Sequence, residues 1–241
     1  MPSSFSSGRL TARPPALNSG GGTSGAAGSG LQKLGLSGLR DGLLYVPATY
    51  RPGAQAPLIV TLHGAGGDAQ CGLSHLIKHA DAYGTLLLAP ESRTSTWDVL
   101  RGGLGPDVEY INRALQQTFQ QYDIDAERLC ISGFSDGASY ALTLGAANGG
   151  LFSHIAAFSP GFMRPPRYEG KPLVYVSHGV HDRVLRIDYC SHALVPRLEA
   201  LGYSVTYTEF DGPHNVPSSI AKEALTWFTG SRRLVASNSQ E

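Results

Sequence analysis

The chain has 241 residues, 41% of them hydrophobic, and 19 basic residues balance 19 acidic ones. That length and apolar content suffice for one well-buried domain, while a formal net charge of zero without lysine or arginine runs offers no field for nucleic acid or an anionic membrane. No apolar stretch approaches the roughly 18 residues of a spanning helix, and no apolar secretory core opens the chain.

Residues 1–38 are rich in Ser, Gly, Ala and Pro, and no acidic residue precedes Asp41. Such a composition cannot bury enough apolar surface to offset chain ordering, so a disordered tail is expected here. An organelle transit peptide is the alternative reading, against which the helix-breaking glycines argue. The run from Gly20 to Gly25 fits G-x-G-x-x-G, yet no strand precedes it and no helix follows, so a dinucleotide site is not expected. One catalytic domain is expected over 39–230, then a flexible tail over 231–241.

Short apolar runs then alternate with helical patterns. Strands are predicted at Gly42 to Val46, Leu58 to Leu62, Thr85 to Ala89, Arg128 to Ser132, Ile155 to Phe158, Leu173 to Ser177 and Val205 to Phe210. Most are continuous apolar runs, as parallel strands covered on both faces require. Helices are predicted near Gly72 to Tyr83, from Pro106-Asp107 through the stripe Val108, Ile111, Leu115 and Phe119, and over Asp136 to Ala147, Tyr189 to Leu201 and Ser218 to Phe228. Pro196 should kink or delimit the fourth. The predicted fold class is α/β: a doubly wound, mostly parallel sheet with helices on both faces and functional groups at the strands' carboxyl ends.

Four stretches carry chemistry. After Leu62, His63-Gly-Ala-Gly-Gly67 closes the second predicted strand with a glycine-rich turn able to present backbone N–H groups. At Gly133-Phe-Ser-Asp-Gly137, Ser135 sits between a buried strand and a helix in Gly-x-Ser-x-Gly spacing, the signature of a nucleophile elbow. A serine hydroxyl is a weak nucleophile at neutral pH and needs a base, itself held by an acid. Asp182 follows the strand Leu173 to Ser177, and His214 follows the strand ending at Phe210, giving the order Ser, Asp, His.

The competitors are weaker. His192 lies mid-helix, Asp188 is placed to cap that helix, and Asp211 stands too close to His214 to arrive from another strand. An ester's tetrahedral intermediate also needs oxyanion donors, for which the amides of Ala65 and Asp136 are the candidates. His75 and His79 share a helical face at i, i+4, but the glutamate of H-E-x-x-H is missing, so no metal is expected. His178 and His181 are read as shaping the Asp182 loop. Trp97 and Phe162, in strand-to-helix loops opening on the rim beside Ser135, are candidate pocket residues for the acyl or alcohol group.

Taken together, LHGAGG, the TWD at Thr96 to Asp98, GFSDG, SHGVHD and GPH resemble the α/β-hydrolases of the phospholipase/carboxylesterase group, and the chain is similar also to the polyhydroxybutyrate depolymerase and feruloyl esterase-like branch. The resemblance runs from about Arg40 to Phe228. It implies an α/β-hydrolase fold with Ser135 as nucleophile, Asp182 as acid, His214 as base and Ala65 with Asp136 as oxyanion donors. Asp136 stands where these relatives often carry glutamine or asparagine, and Pro213 where glycine is common. A cofactor-free serine hydrolase acting on small or exposed carboxylic esters is therefore expected. A thioesterase or peptidase with the same triad, or a non-catalytic binding module, are the alternatives. Only 46 residues separate Ser135 from Asp182, too few for a sizeable lid. Because the three cysteines, Cys71, Cys130 and Cys190, cannot all pair, a cytoplasmic setting is expected. The partner implied is a small-molecule ester; oligomeric state is not legible.

Overall fold

The computed structural model describes residues 5–15 and 28–231; the 20–25 glycine run and the 232–241 tail lie outside them. Eight strands form one sheet: β1 (Gly30–Lys33), β2 (Leu43–Val46), β3 (Ala56–Leu62), β4 (Leu86–Ala89), β5 (Ile124–Phe134), β6 (His154–Phe158), β7 (Leu173–Gly179) and β8 (Val205–Phe210). Their order across the sheet is β1-β2-β4-β3-β5-β6-β7-β8. The β1–β2 and β2–β4 pairs are antiparallel and every other pair is parallel. All seven predicted strands are present, six within two residues of their expected bounds; β5, expected over Arg128 to Ser132, instead runs from Ile124 to Phe134.

Helices α1 (Ala69–Ser74), α2 (Ile77–Ala80), α3 (Pro106–Gln121), α4 (Asp136–Ala147), α5 (Ser191–Ala200) and α6 (Ser218–Gly230) complete the fold. Alternation along each strand sends side chains to opposite faces, so two cores form. Leu58, Val60, Ile131 and Val176 meet α3, α4 and α5 on one face, while Ile59, Cys130 and Tyr175 meet α1, α2 and α6 on the other. The single helix expected over 72–83 is instead two short helices and a 3₁₀ turn at Asp81–Tyr83. The start shifts to Asp68, whose carboxylate caps Cys71 N at 2.8 Å. Pro196 lies inside α5 without ending it.

The expected disorder before residue 39 needs correction for the described part. Leu10 is 0% exposed and packs into the α3–α4 core. Two buried asparagines serve the segment's backbone. Asn148 Oδ1 accepts from Leu10 N (2.8 Å) while its Nδ2 donates to Gly8 O (2.8 Å), and Asn112 Oδ1 accepts from Thr11 N and Ala12 N (2.7 and 2.9 Å). Low apolar content was outweighed by one leucine worth about 1.5–3 kcal/mol of burial and by anchors placed on distant helices. Farther on, Gly30–Lys33 pairs along β2 as the sheet's edge strand.

Candidate active site

β5 delivers Ser135 directly into α4. The backbone there has φ 58° and ψ −118°, a left-handed conformation costing about 1–3 kcal/mol in a non-glycine residue. Close packing enforces it. A Cβ at Gly133 would overlap the Gly137 carbonyl, and one at Gly137 would overlap the carbonyls of Leu62 and His63. The Ser135 N–H donates to Phe158 O (3.0 Å), and its carbonyl accepts from Ser139 N (3.1 Å). Both flanking glycines are thus needed for backbone approach.

Asp182 and His214 arrive after adjacent strands, β7 and β8. Val180 N donates to Phe210 O and His181 N to Gly212 O, both at 3.0 Å, so the turns after β7 and β8 are laced together. His214 Nδ1 lies 2.5 Å from Asp182 Oδ2, and His214 Nε2 lies 2.9 Å from Ser135 Oγ. Asp182 is 4% exposed, and its Oδ1 accepts from Val184 N and Leu185 N at 2.8 Å each. Burial alone would raise its pKa, but the hydrogen bonds from His214, Leu185 and Val184 outweigh it and hold the carboxyl below the usual carboxylate range. An ionised Asp182 requires Nδ1–H on His214, which leaves Nε2 free to accept the serine proton. The Phe134 ring, 4.6 Å between centroids, backs the imidazole.

The glycine turn after β3 lies against Ser135: a Cβ at Gly64 would sit 3.4 Å from Ser135 Cβ. Neither the Ala65 nor the Asp136 amide donates to another described residue. His63, 1% exposed, fixes this turn. Its Nδ1 is 2.7 Å from Gly64 O and its Nε2 accepts from Ser92 N at 3.1 Å, and burial lowers its pKa, favouring that neutral tautomer. From the loop after β4, Ser95 O accepts from Gly66 N (2.7 Å) and Thr96 Oγ1 donates to the Asp136 carboxylate (2.6 Å).

Trp97 does not line a pocket. It is 0% exposed, stacked on Tyr140 at 5.1 Å, with Nε1 donating to His63 O at 2.8 Å. A loop position suggested a rim residue; the indole instead fills the layer beneath the turn. Below it, Asp98 Oδ2 accepts from Asp107 N (3.0 Å) and Asp107 Oδ2 from Asp98 N (2.6 Å), a reciprocal lock at the start of α3. Phe162 is half-buried, with the Arg164 guanidinium 4.9 Å from its ring centroid. Its neighbour Gly161 donates to Ser139 Oγ at 2.9 Å, beside the first turn of α4.

The competing residues point elsewhere. His192 pairs with Glu209 (2.8 Å), and Asp211 pairs with His181 (2.9 Å) on the surface. Asp188 does not cap α5, whose N-cap is Cys190; its carboxylate faces Arg186 and His192. His75 meets Phe134 edge-on and His79 meets Ser218 Oγ, and among the described residues no group of three His, Cys, Asp or Glu could hold a metal ion. Sequence reasoning missed what His63 and His178 do, since Ser92 reaches His63 from the loop after β4 and Ser191 reaches His178 from the start of α5.

This sheet order, with the strained serine after its fifth strand, is the α/β-hydrolase fold. The chain matches no protein-family model. It is 31% identical over 155 residues to a bifunctional acetylxylan esterase/xylanase of Neocallimastix patriciarum, covering 61% of this chain and 22% of that protein. To a probable feruloyl esterase C of Aspergillus flavus it is 25% identical over 203 residues, 76% of this chain and 74% of the relative. The chain spans between about a fifth and two-fifths of the first three curated relatives it matches. Among solved structures, fluorophosphonate-binding serine hydrolase F of Staphylococcus aureus superposes with a TM-score of 0.67 at 12% identity, covering 84% of this chain and 99% of that one.

Proposed function

We propose that the protein is a serine hydrolase that cleaves carboxylic esters through an acyl-enzyme, with residues 39–230 as its catalytic domain. The line Ser135 Oγ–His214–Asp182, at 2.9 and 2.5 Å, carries the reading. His214 Nε2 takes the Ser135 proton as Oγ attacks the ester carbonyl, and Asp182 stabilises the imidazolium that forms. The amides of Ala65 and Asp136 face the developing oxyanion. His214 then protonates the departing alcohol, and water repeats the sequence on the acyl-enzyme. Phe162 borders the entering group.

The relatives' names support acetyl and feruloyl esters as first substrates to test. No helix among the described residues is long and apolar enough to cross a membrane, and the three free cysteines suit a reducing, cytoplasmic setting. Treatment with a fluorophosphonate probe should label the protein and leave its Ser135→Ala variant unlabelled; equal labelling of the two sinks the assignment. Aryl esters, acyl thioesters and amides assayed side by side should rank esters first, and a faster thioester or amide would reassign the leaving group.

A further inference from the structure

His178 is the penultimate residue of β7 and is 0% exposed. Its Nε2 lies 2.7 Å from Leu185 O and 3.1 Å from Asp182 Oδ2, and its Nδ1 lies 2.7 Å from Ser191 Oγ. Two acceptors on the Nε2 side require the hydrogen there, so Nδ1 is a lone pair and the Ser191 hydroxyl donates to it. Burial lowers the pKa of the ring and keeps it neutral. A single imidazole therefore holds both ends of the acid's surroundings: Asp182 Oδ2 directly, and Oδ1 through Leu185, whose N–H donates to it at 2.8 Å.

We propose that His178, oriented by Ser191, is a positioning residue for the acid of the reaction, fixing Asp182 so that its Oδ2 meets His214 Nδ1. The line of contacts then runs Ser191, His178, Asp182, His214, Ser135. His178 touches no reacting atom; it limits how far the carboxylate swings and shares the charge on Oδ2. The groups facing it are Asp182 and His214 from the turns after β7 and β8, with Cys190 and Ser191 at the start of α5 and, near Ser191, Tyr207 of β8, whose buried hydroxyl has no hydrogen-bond partner among the described residues. Glu209, opposite in register, is engaged by His192.

The inference rests on the triad reading of Ser135, so the test includes Ser135→Ala. Hydrolysis of p-nitrophenyl acetate is measured from pH 5 to 9 for the wild type, H178F, H178Q and S191A, each checked for a cooperative thermal transition. H178F should lose about 10- to 100-fold in kcat, the scale of an ångström-sized misplacement, with KM nearly unchanged. Its acid limb should move to higher pH, because Asp182 Oδ2 loses one of its two donors and its charge is left facing Nδ1 of His214 alone. Glutamine can return an N–H near Nε2, so H178Q should recover most of the rate; S191A should lose about 3-fold, a hydrogen bond's worth. Where H178F does not fold, H178Q and S191A decide: near-wild-type H178Q with a slowed S191A supports the role. Folded H178F with wild-type kcat, a limb that stays or moves down, or an unslowed S191A overturns it. Hydrolysis persisting in Ser135→Ala sinks the triad reading instead.

Discussion

The two sides of the candidate site are built on different physics. On the acid side, a charged carboxylate is buried and held by four atoms from its own turn, from β7 and from the turn after β8, so its support consists of hydrogen bonds aimed at a charge. On the oxyanion side the turn is neutral, and its support is a stacked indole and ring, with two locked carboxylates one layer further away. Charge that must stay fixed is surrounded by donors; backbone that must stay in place is braced by bulk. Damage to the first should appear in rate, and damage to the second in stability.

The largest effect tests the acid side. Asp182→Asn keeps the shape but offers His214 the wrong partner, and kcat should fall by about 10⁴-fold with the thermal transition little changed; a fall under about 10-fold would remove Asp182 from its role. On the opposite side, Trp97→Ala empties a fully buried space and should cost about 3–5 kcal/mol in denaturant unfolding. Trp97→Phe, which loses the bond to His63 O, should cost about 1 kcal/mol. If Trp97→Ala left stability intact and cut only the rate, the contrast between the sides would collapse.

A smaller effect sharpens the same contrast through pH. Burial raises Asp107 from 3.8 to about 6, ahead of the opposing bond from Arg93 N. Because the folded pKa exceeds the unfolded one, its contribution to stability is fully present below pH 3.8 and is lost as pH rises through about 6. His154, lowered by burial from 6.5 to about 4, acts oppositely and contributes only above its unfolded value, losing that stability as pH falls towards 4. Asp107→Asn should remove the first trend, so its melting temperature should gain relative to the wild type between pH 4 and 7. Parallel curves would show that Asp107 does not titrate in that range.

What was legible in the sequence was whatever is enforced locally. Gly133 and Gly137 announce a backbone that must approach its neighbours, and Leu129-Cys130-Ile131 reads as a strand buried on both faces. The order of Ser135, Asp182 and His214 was readable because each follows a recognisable strand. Trp97 was not, because a loop position says nothing of which side of the loop packs inward. Nor was the seating of Leu10, since Asn148 lies 138 residues away and neither residue carries a periodic pattern. His178 looked like part of a loop-shaping pair; only the fold brings Leu185 O and Ser191 to its two nitrogens.

The docking of residues 8–12 has a consequence for how the molecule is made. These residues leave the ribosome long before Asn112 and Asn148, and the slot for Leu10 does not exist until α3 and α4 have both emerged and packed. Synthesis order and seating order are therefore reversed for this segment. A nascent chain halted before Asn148 should leave it open to protease, and the finished chain should close it as one of the last acts of folding.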